Sequence, residues 1–249
     1  MNILIVESHN DQYFVQALAN NMSKNTSENN DVWHIDEFKH SNLEEEKLKI
    51  VLADGLTTRE VTKIGIMLDI DNSNKASRID LINRCLEKSI ADCDFIKLET
   101  KIEDTGKLVN IKLTEEKEVQ IACYFTNIEE KGELEDVLKE IASQKADFAN
   151  CLFEGWKECF EQKGKKVVKT GEAGGDITDK QLVKLWVDFY KRLDTLPKKK
   201  RNEDTTDWKG ICLGYPDSEG KKIKERASDI FDLNHPVLDE MKGFLALFD

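Results

Sequence analysis

Apolar residues recur in two rhythms along the first hundred positions. Positions 3–6 form a continuous apolar run, ILIV, which suits a strand buried on both faces. Glu7 follows at once, and Asn10 or Asp11 is placed to cap the next element. Phe14, Val15, Leu18, Ala19 and Met22 then return at helical spacing. The same order comes a second time. Positions 64–68 read IGIML and end in Asp69-Ile70-Asp71; after a polar loop, Ile79, Ile82, Leu86 and Ile90 make a helical stripe. Between the two units, positions 23–31 are rich in Asn, Ser and Thr and read as loop. Positions 32–38 alternate loosely as a strand does, and positions 43–56 favour helix, with three glutamates near its start where the helix dipole favours them.

Further along, positions 95–98 and 109–113 are short strand candidates around a polar turn at Gly106. Positions 119–125 alternate more cleanly through Val119, Ile121, Cys123 and Phe125. Leu134, Val137, Leu138 and Ile141 then form another helical face. Strands alternating with helices predict an α/β protein with a mainly parallel sheet flanked by helices on both faces. From residue 148 the pattern turns helical. Phe148, Leu152, Trp156 and Phe160 share one face, Leu182, Leu185, Trp186, Phe189 and Leu193 another, and positions 237–248 close the chain with a third apolar stripe. The expected organisation is an α/β domain over 1–147 and a C-terminal helical extension over 148–249 packed on it. Core packing accounts for the aromatic stripes of the extension better than base stacking does.

Charge narrows the functional classes. Residues 1–150 carry 18 Lys and Arg against 30 Asp and Glu, so the whole formal charge of −12 resides there. Such a surface repels polyanions, so any affinity for nucleic acid is weak unless metal ions, a local surface or a partner supplies it. The six cysteines contain no C-x-x-C pair and the four histidines do not cluster, so zinc has no support. The start, MNILIVES, lacks the pattern of a secretory signal, and no apolar stretch approaches the roughly 20 residues that span a bilayer. A cytoplasmic protein with reduced, mostly buried thiols is expected, with no membrane association. The basic run from Lys198 to Arg201 reads as a solvated loop between helices, and His9 as a solvent-facing histidine.

The chemistry-bearing pattern is acidic. In an open parallel sheet, reactive groups gather beyond the carboxyl ends of the strands. Glu7 lies at one such end, and Asp69 and Asp71 at another, where their i, i+2 spacing in an extended segment sets both on one side. Like charges held together favour a divalent cation. Magnesium takes one or two carboxylates and keeps waters that phosphate oxygens can replace. Asp69 and Asp71 are therefore the expected metal ligands, with Glu7 as general base or acid or as a further ligand. As a lone motif, a D-x-D more often only begins a loop; two acids after two buried strands carry more weight.

The segment V-E-S-H-N-D before an apolar helix resembles the first motif of Toprim domains, and I-M-L-D-I-D resembles their D-x-D. Y-F-T-N-I-E-E-K-G-E-L-E-D-V-L and F-D-L-N-H-P-V-L-D-E-M-K-G-F-L-A-L-F resemble the third-strand and closing segments of a small stand-alone Toprim-like family of unknown function. The resemblance covers most of 3–140 and then 228–248. It implies a Toprim, Rossmann-like sheet and a Glu7/Asp69/Asp71 magnesium site, with manganese able to substitute. It further implies phosphodiester chemistry on nucleic acid of a nuclease-like kind, or else a non-catalytic module that works with a partner protein such as an ATPase. Asn127, Asp11 and Glu135 are candidates near the site, with Glu135 as a ligand of a second metal or simply a first-turn helix acid. Ser8 stands where a glycine commonly follows the motif acid, and Asn72-Ser73-Asn74 follows the D-x-D without the glycine of topoisomerases.

Overall fold

The computed structural model describes residues 1–22, 30–34, 44–70, 73–93, 95, 100–128, 132–168, 174–201, 207–214 and 225–248. The chain divides into two compact units: Met1–Thr126 together with Leu238–Asp249, and Asn127–Val237. Residue 147, the expected junction, opens a helix inside the second unit.

In the first unit, the two continuous apolar runs become the central strands. β1 (Asn2–Val6) and β3 (Lys63–Asp69) are buried along nearly their whole length, as strands covered on both faces must be. With β2 (Asn30–His34), β4 (Val109–Lys112) and β5 (Glu118–Thr126) they form a five-stranded sheet in the order β2-β1-β3-β5-β4. The first four in that order are parallel, and β4 joins the edge antiparallel to β5. Parallel neighbours require long crossovers. The connecting helices are α1 (His9–Asn21), α2 (Glu44–Thr57) and α3 (Lys75–Asp92). The mainly parallel, helix-flanked α/β fold expected from the alternation is the fold observed. Positions 35–38 of the second strand candidate, and 96–98 of the candidate over 95–98, lie outside the described residues.

The period of two along each strand sorts side chains onto two layers. Ile3, Ile5, Ile64 and Ile66 face Leu48 and Leu52 of α2 and Ile82 and Leu86 of α3, all of them fully buried. On the opposite face, Leu4, Gly65 and Ala122 stand side by side in register across β1, β3 and β5. The small pair Gly65 and Ala122 leaves a hollow, and Phe248 fills it. A β-carbon at Gly65 would lie 2.7 Å from Phe248 Cζ and 2.8 Å from Leu4 Cδ1. The closing helix (Asp239–Leu245) and the tight turn Ala246–Phe248 are fastened there. Phe244 stacks on Tyr124 at 5.6 Å and meets Phe248 edge-on at 5.3 Å. Asn2 Nδ2 donates to the Phe248 carbonyl at 2.7 Å, and Lys63 Nζ donates to that of Leu247 at 2.6 Å.

The second unit is mostly helical: α4 (Leu134–Glu140), α5 (Asp147–Gln162), α6 (Asp179–Phe189), α7 (Trp208–Leu213) and α8 (Ala227–Ile230), with a short parallel pair β6 (Val167–Val168) and β7 (Ile177–Thr178). Tyr190 anchors it. Its fully buried hydroxyl donates to the Ile230 carbonyl at 2.6 Å and accepts from Gln144 N–H at 2.9 Å, and its ring stacks on Trp186 at 5.2 Å. Asp194 accepts from the N–H groups of Phe148 and Ala149, both at 2.9 Å, and so caps α5 from a distant segment. Trp186 is a core residue, as expected of its stripe, and Tyr190, Trp208 and Phe231, which no stripe included, are buried as well. The α5 stripe departs from that expectation: Phe148 is 51% and Trp156 39% exposed. Trp156 meets Phe160 at 6.0 Å and Phe189 of α6 at 6.4 Å, and Asn150 Oδ1, off the stripe, accepts from Trp186 Nε1 of α6 at 2.8 Å.

Gly65→Ala is expected to destabilise the protein by about 1–3 kcal/mol, the usual penalty of overpacking a filled core. Urea unfolding measures this, and the loss should shrink in a Phe248→Ala background. Equal losses in both backgrounds would rule out the Phe248 contact as the cause.

Candidate functional site

From β1 the chain first adds a strand on one side, β2, and then on the other, β3. Where strand order reverses in this way, the connections after neighbouring strands diverge and leave a crevice at the carboxyl ends. Glu7 is the first residue past β1, and Asp69 is the last of β3. Parallel pairing sets Val6 beside Met67, so Glu7 comes one residue short of Asp69. Glu7 Oε2 accepts from the Asp69 N–H at 3.2 Å, and Asp69 is 7% exposed. Two acids 62 positions apart in the chain are thus joined at the reversal point.

Beyond Asp69 the chain stays beside β5, with Ile70 N–H donating to the Thr126 carbonyl at 3.2 Å. It then turns, Ser73 N–H donating to the Ile70 carbonyl at 3.0 Å, and enters α3, which is capped by Asn74 accepting from Ser77 N–H at 2.9 Å. Asp71 lies outside the described residues. Among the described residues no three His, Cys, Asp or Glu side chains are grouped to hold a metal ion. What they bring together is Glu7 and the backbone of Asp69.

The cap of α1 is neither Asn10 nor Asp11 but Ser8. The helix starts at His9, which makes residue 8 the cap and residue 11 its third helical position. Ser8 Oγ accepts from Asp11 N–H at 3.4 Å, while the backbone N–H and hydroxyl of Ser8 both donate to Asp11 Oδ2, at 2.8 and 2.5 Å. The buried Asp11 carboxylate therefore fixes how the chain leaves β1, and with it the residue next to Ser8, Glu7. The signal was present in the sequence as Ser followed three positions later by an acid. Arg78, buried in the first turn of α3, also went unread; its cue is its place on the apolar side of that helix, beside Ile79.

The remaining candidates are divided between the two units. His9 is exposed, stacked on Tyr13 at 5.9 Å. Asn127 and Glu135 belong to the second unit, and Glu135, in the first turn of α4, lies 3.6 Å from Lys184 Nζ. Cys85, Cys123 and Cys212 are buried, while Cys151 and Cys159 are exposed. Burial pushes the Cys123 thiol up to about 12, which keeps it protonated and unreactive. No helix among the described residues is long and apolar enough to cross a membrane.

Fold and site together define an α/β protein with a mostly parallel sheet and paired acids where its strand order reverses. Over residues 1–248 the chain matches the family described as "Protein of unknown function (DUF3226)", and it belongs to that family. No curated protein and no solved structure matches it.

Ser8→Ala should lower stability by about 1 kcal/mol through loss of the cap, and Ser8→Asn should restore most of it. Chemical denaturation reads both; an unchanged Ser8→Ala midpoint would contradict the role given to the box.

Proposed function

We propose that the chain is a Toprim-like, magnesium-dependent protein whose chemistry is phosphodiester cleavage in nucleic acid. The observation that carries this reading is the pairing of Glu7 with the backbone of Asp69 at the strand-order reversal. Asp69 and Asp71 are assigned as ligands of magnesium, or of manganese in its place. Glu7 is assigned to receive or deliver the proton, or to complete the ligand set. The ion supplies Lewis acidity toward a phosphoryl oxygen. Held by the Asp69 N–H, Glu7 is oriented before substrate arrives, which is how a positioned carboxylate contributes most.

A second reading is a partner-dependent Toprim module, for example one working with an ATPase. The concentration of the entire −12 charge in residues 1–150 favours it, since that surface gives a polyanion little reason to bind unaided.

Calorimetric titration with magnesium and manganese, beside cleavage assays on supercoiled plasmid and single-stranded oligonucleotides, separates the two. The first reading expects cation-dependent cleavage that falls by about 10²-fold or more in Asp69→Ala, as when a group stabilising transition-state charge is lost. Metal binding without cleavage supports the module. Absence of metal binding in a folded protein overturns the magnesium site.

A further inference from the structure

The second unit turns an apolar helix face to solvent. One side of α5 is occupied by its own unit: Ala149 is fully buried, Asn150 Oδ1 accepts from Trp186 Nε1 at 2.8 Å, and the Phe153 ring has the ammonium groups of Lys139 and Lys157 at 4.3 and 4.2 Å. A helix advances about 100° per residue, which sets Phe148, Cys151, Leu152, Gly155 and Cys159 on the opposite side. Leu152 is half-buried and the other four are exposed. At the head of this stripe the Arg201 guanidinium lies 5.1 Å from the Phe148 ring, yet Phe148 stays 51% exposed. At its middle, a β-carbon on Gly155 would meet nothing within 4 Å.

A surface helix ordinarily turns charged and polar residues outward. Here the outward stripe is apolar, since a thiol behaves as a small hydrophobe. The charges stand along one edge of it. Asp147, Glu154, Glu158 and Glu161 all fall on the same side of the stripe and all are exposed. Asp147 pairs with Lys145 at 3.1 Å and Glu154 with Lys157 at 3.9 Å, while Glu158 and Glu161 have no ion pair among the described residues. The other edge, Leu152 and Trp156, carries no charge.

We propose that this face of α5 docks a helix of another protein, one that is apolar on one side and edged with lysine or arginine. Glycine at the middle, with a cysteine one turn to either side, lets a second helix backbone come close. The acidic edge decides the occupant. It repels the phosphates of nucleic acid and the surface of an anionic membrane. A second copy of the chain matches it poorly. Antiparallel self-pairing about a two-fold axis sets the two acidic edges together. Parallel self-pairing sets each against Leu152 and Trp156, where the helix has no cation to meet it. A basic edge complements it in one orientation and so fixes the register of docking. The proposal is independent of the Glu7–Asp69 chemistry.

The test uses the full chain and two synthetic helices of the same 16-residue length as α5. Both have leucine and alanine on one face; one is edged with lysine and the other with glutamate. Fluorescence anisotropy of the labelled peptides reads binding. Alkylation of Cys151 and Cys159 by iodoacetamide, followed by mass spectrometry, reads where it occurs. We expect the lysine-edged peptide to bind about tenfold or more tighter than the glutamate-edged one, and to slow alkylation at both cysteines. Gly155→Glu, at a position with open space, should abolish binding. Joint replacement Glu154→Lys, Glu158→Lys and Glu161→Lys should reverse the preference. If Gly155→Glu fails to fold, the charge reversal and the alkylation pattern carry the test. Binding of neither peptide, equal binding of both, or binding that leaves alkylation unchanged would each overturn the docking site. So would a dimer of the chain alone, seen by sedimentation and lost in Gly155→Glu, because the occupant would then be a second copy.

Discussion

The parallel pairing of β1 with β3 is the constraint on which the rest of the first unit depends. Both strands are covered on two faces, so their alternate side chains must satisfy two different layers at once. A slip of one residue would send every isoleucine to the wrong layer. Register is therefore fixed by packing, not by the acids, and the acids inherit their positions from it. Glu7 and Asp69 meet because Ile3, Ile5, Ile64 and Ile66 can bury themselves in only one alignment.

This explains which parts of the protein were legible in the sequence. Continuous apolar runs and helical stripes mark elements directly, so the alternation of the first unit, and the acids after two of its strands, could be read from local pattern. Strand order could not, because nothing local distinguishes a chain that adds strands on one side from a chain that reverses. The start of α1 shows a finer limit. Ser8, Asn10 and Asp11 are all competent caps by residue type, and the choice falls on Ser8 only because the helix begins at His9 and sets Asp11 at the position that closes the box. The aromatic stripe of α5 shows the reverse failure. Its spacing is that of a core helix, yet burial requires neighbours along the whole stripe; Trp156 stays partly exposed although it meets Phe189 of α6, and Phe148 is exposed too.

Acids are treated in contrasting ways in the two units. Glu133 and Glu135 lie against Lys180 and Lys184, so their charge is met by side chains already in place. Glu7 is met by a backbone N–H, which orients a carboxylate without contributing a full positive charge. Of the acids singled out by sequence, Glu135 thus stands beside a lysine and Glu7 on a backbone N–H.

The two ends of the same pair of strands carry different duties. At their amino ends, Asn2 and Lys63 grip the carbonyls of Phe248 and Leu247, and midway along them Phe248 fills the hollow at Gly65. At their carboxyl ends stand Glu7 and Asp69. The last residues of the chain thus close the sheet away from the acids, where apolar packing and hydrogen bonds to neutral carbonyls are sufficient. The carboxyl ends are left to groups that burial penalises, a cost which a fold can carry only where something else holds the strands together. Anchoring by the chain's closing segment holds the two strands together from the end opposite to the acids.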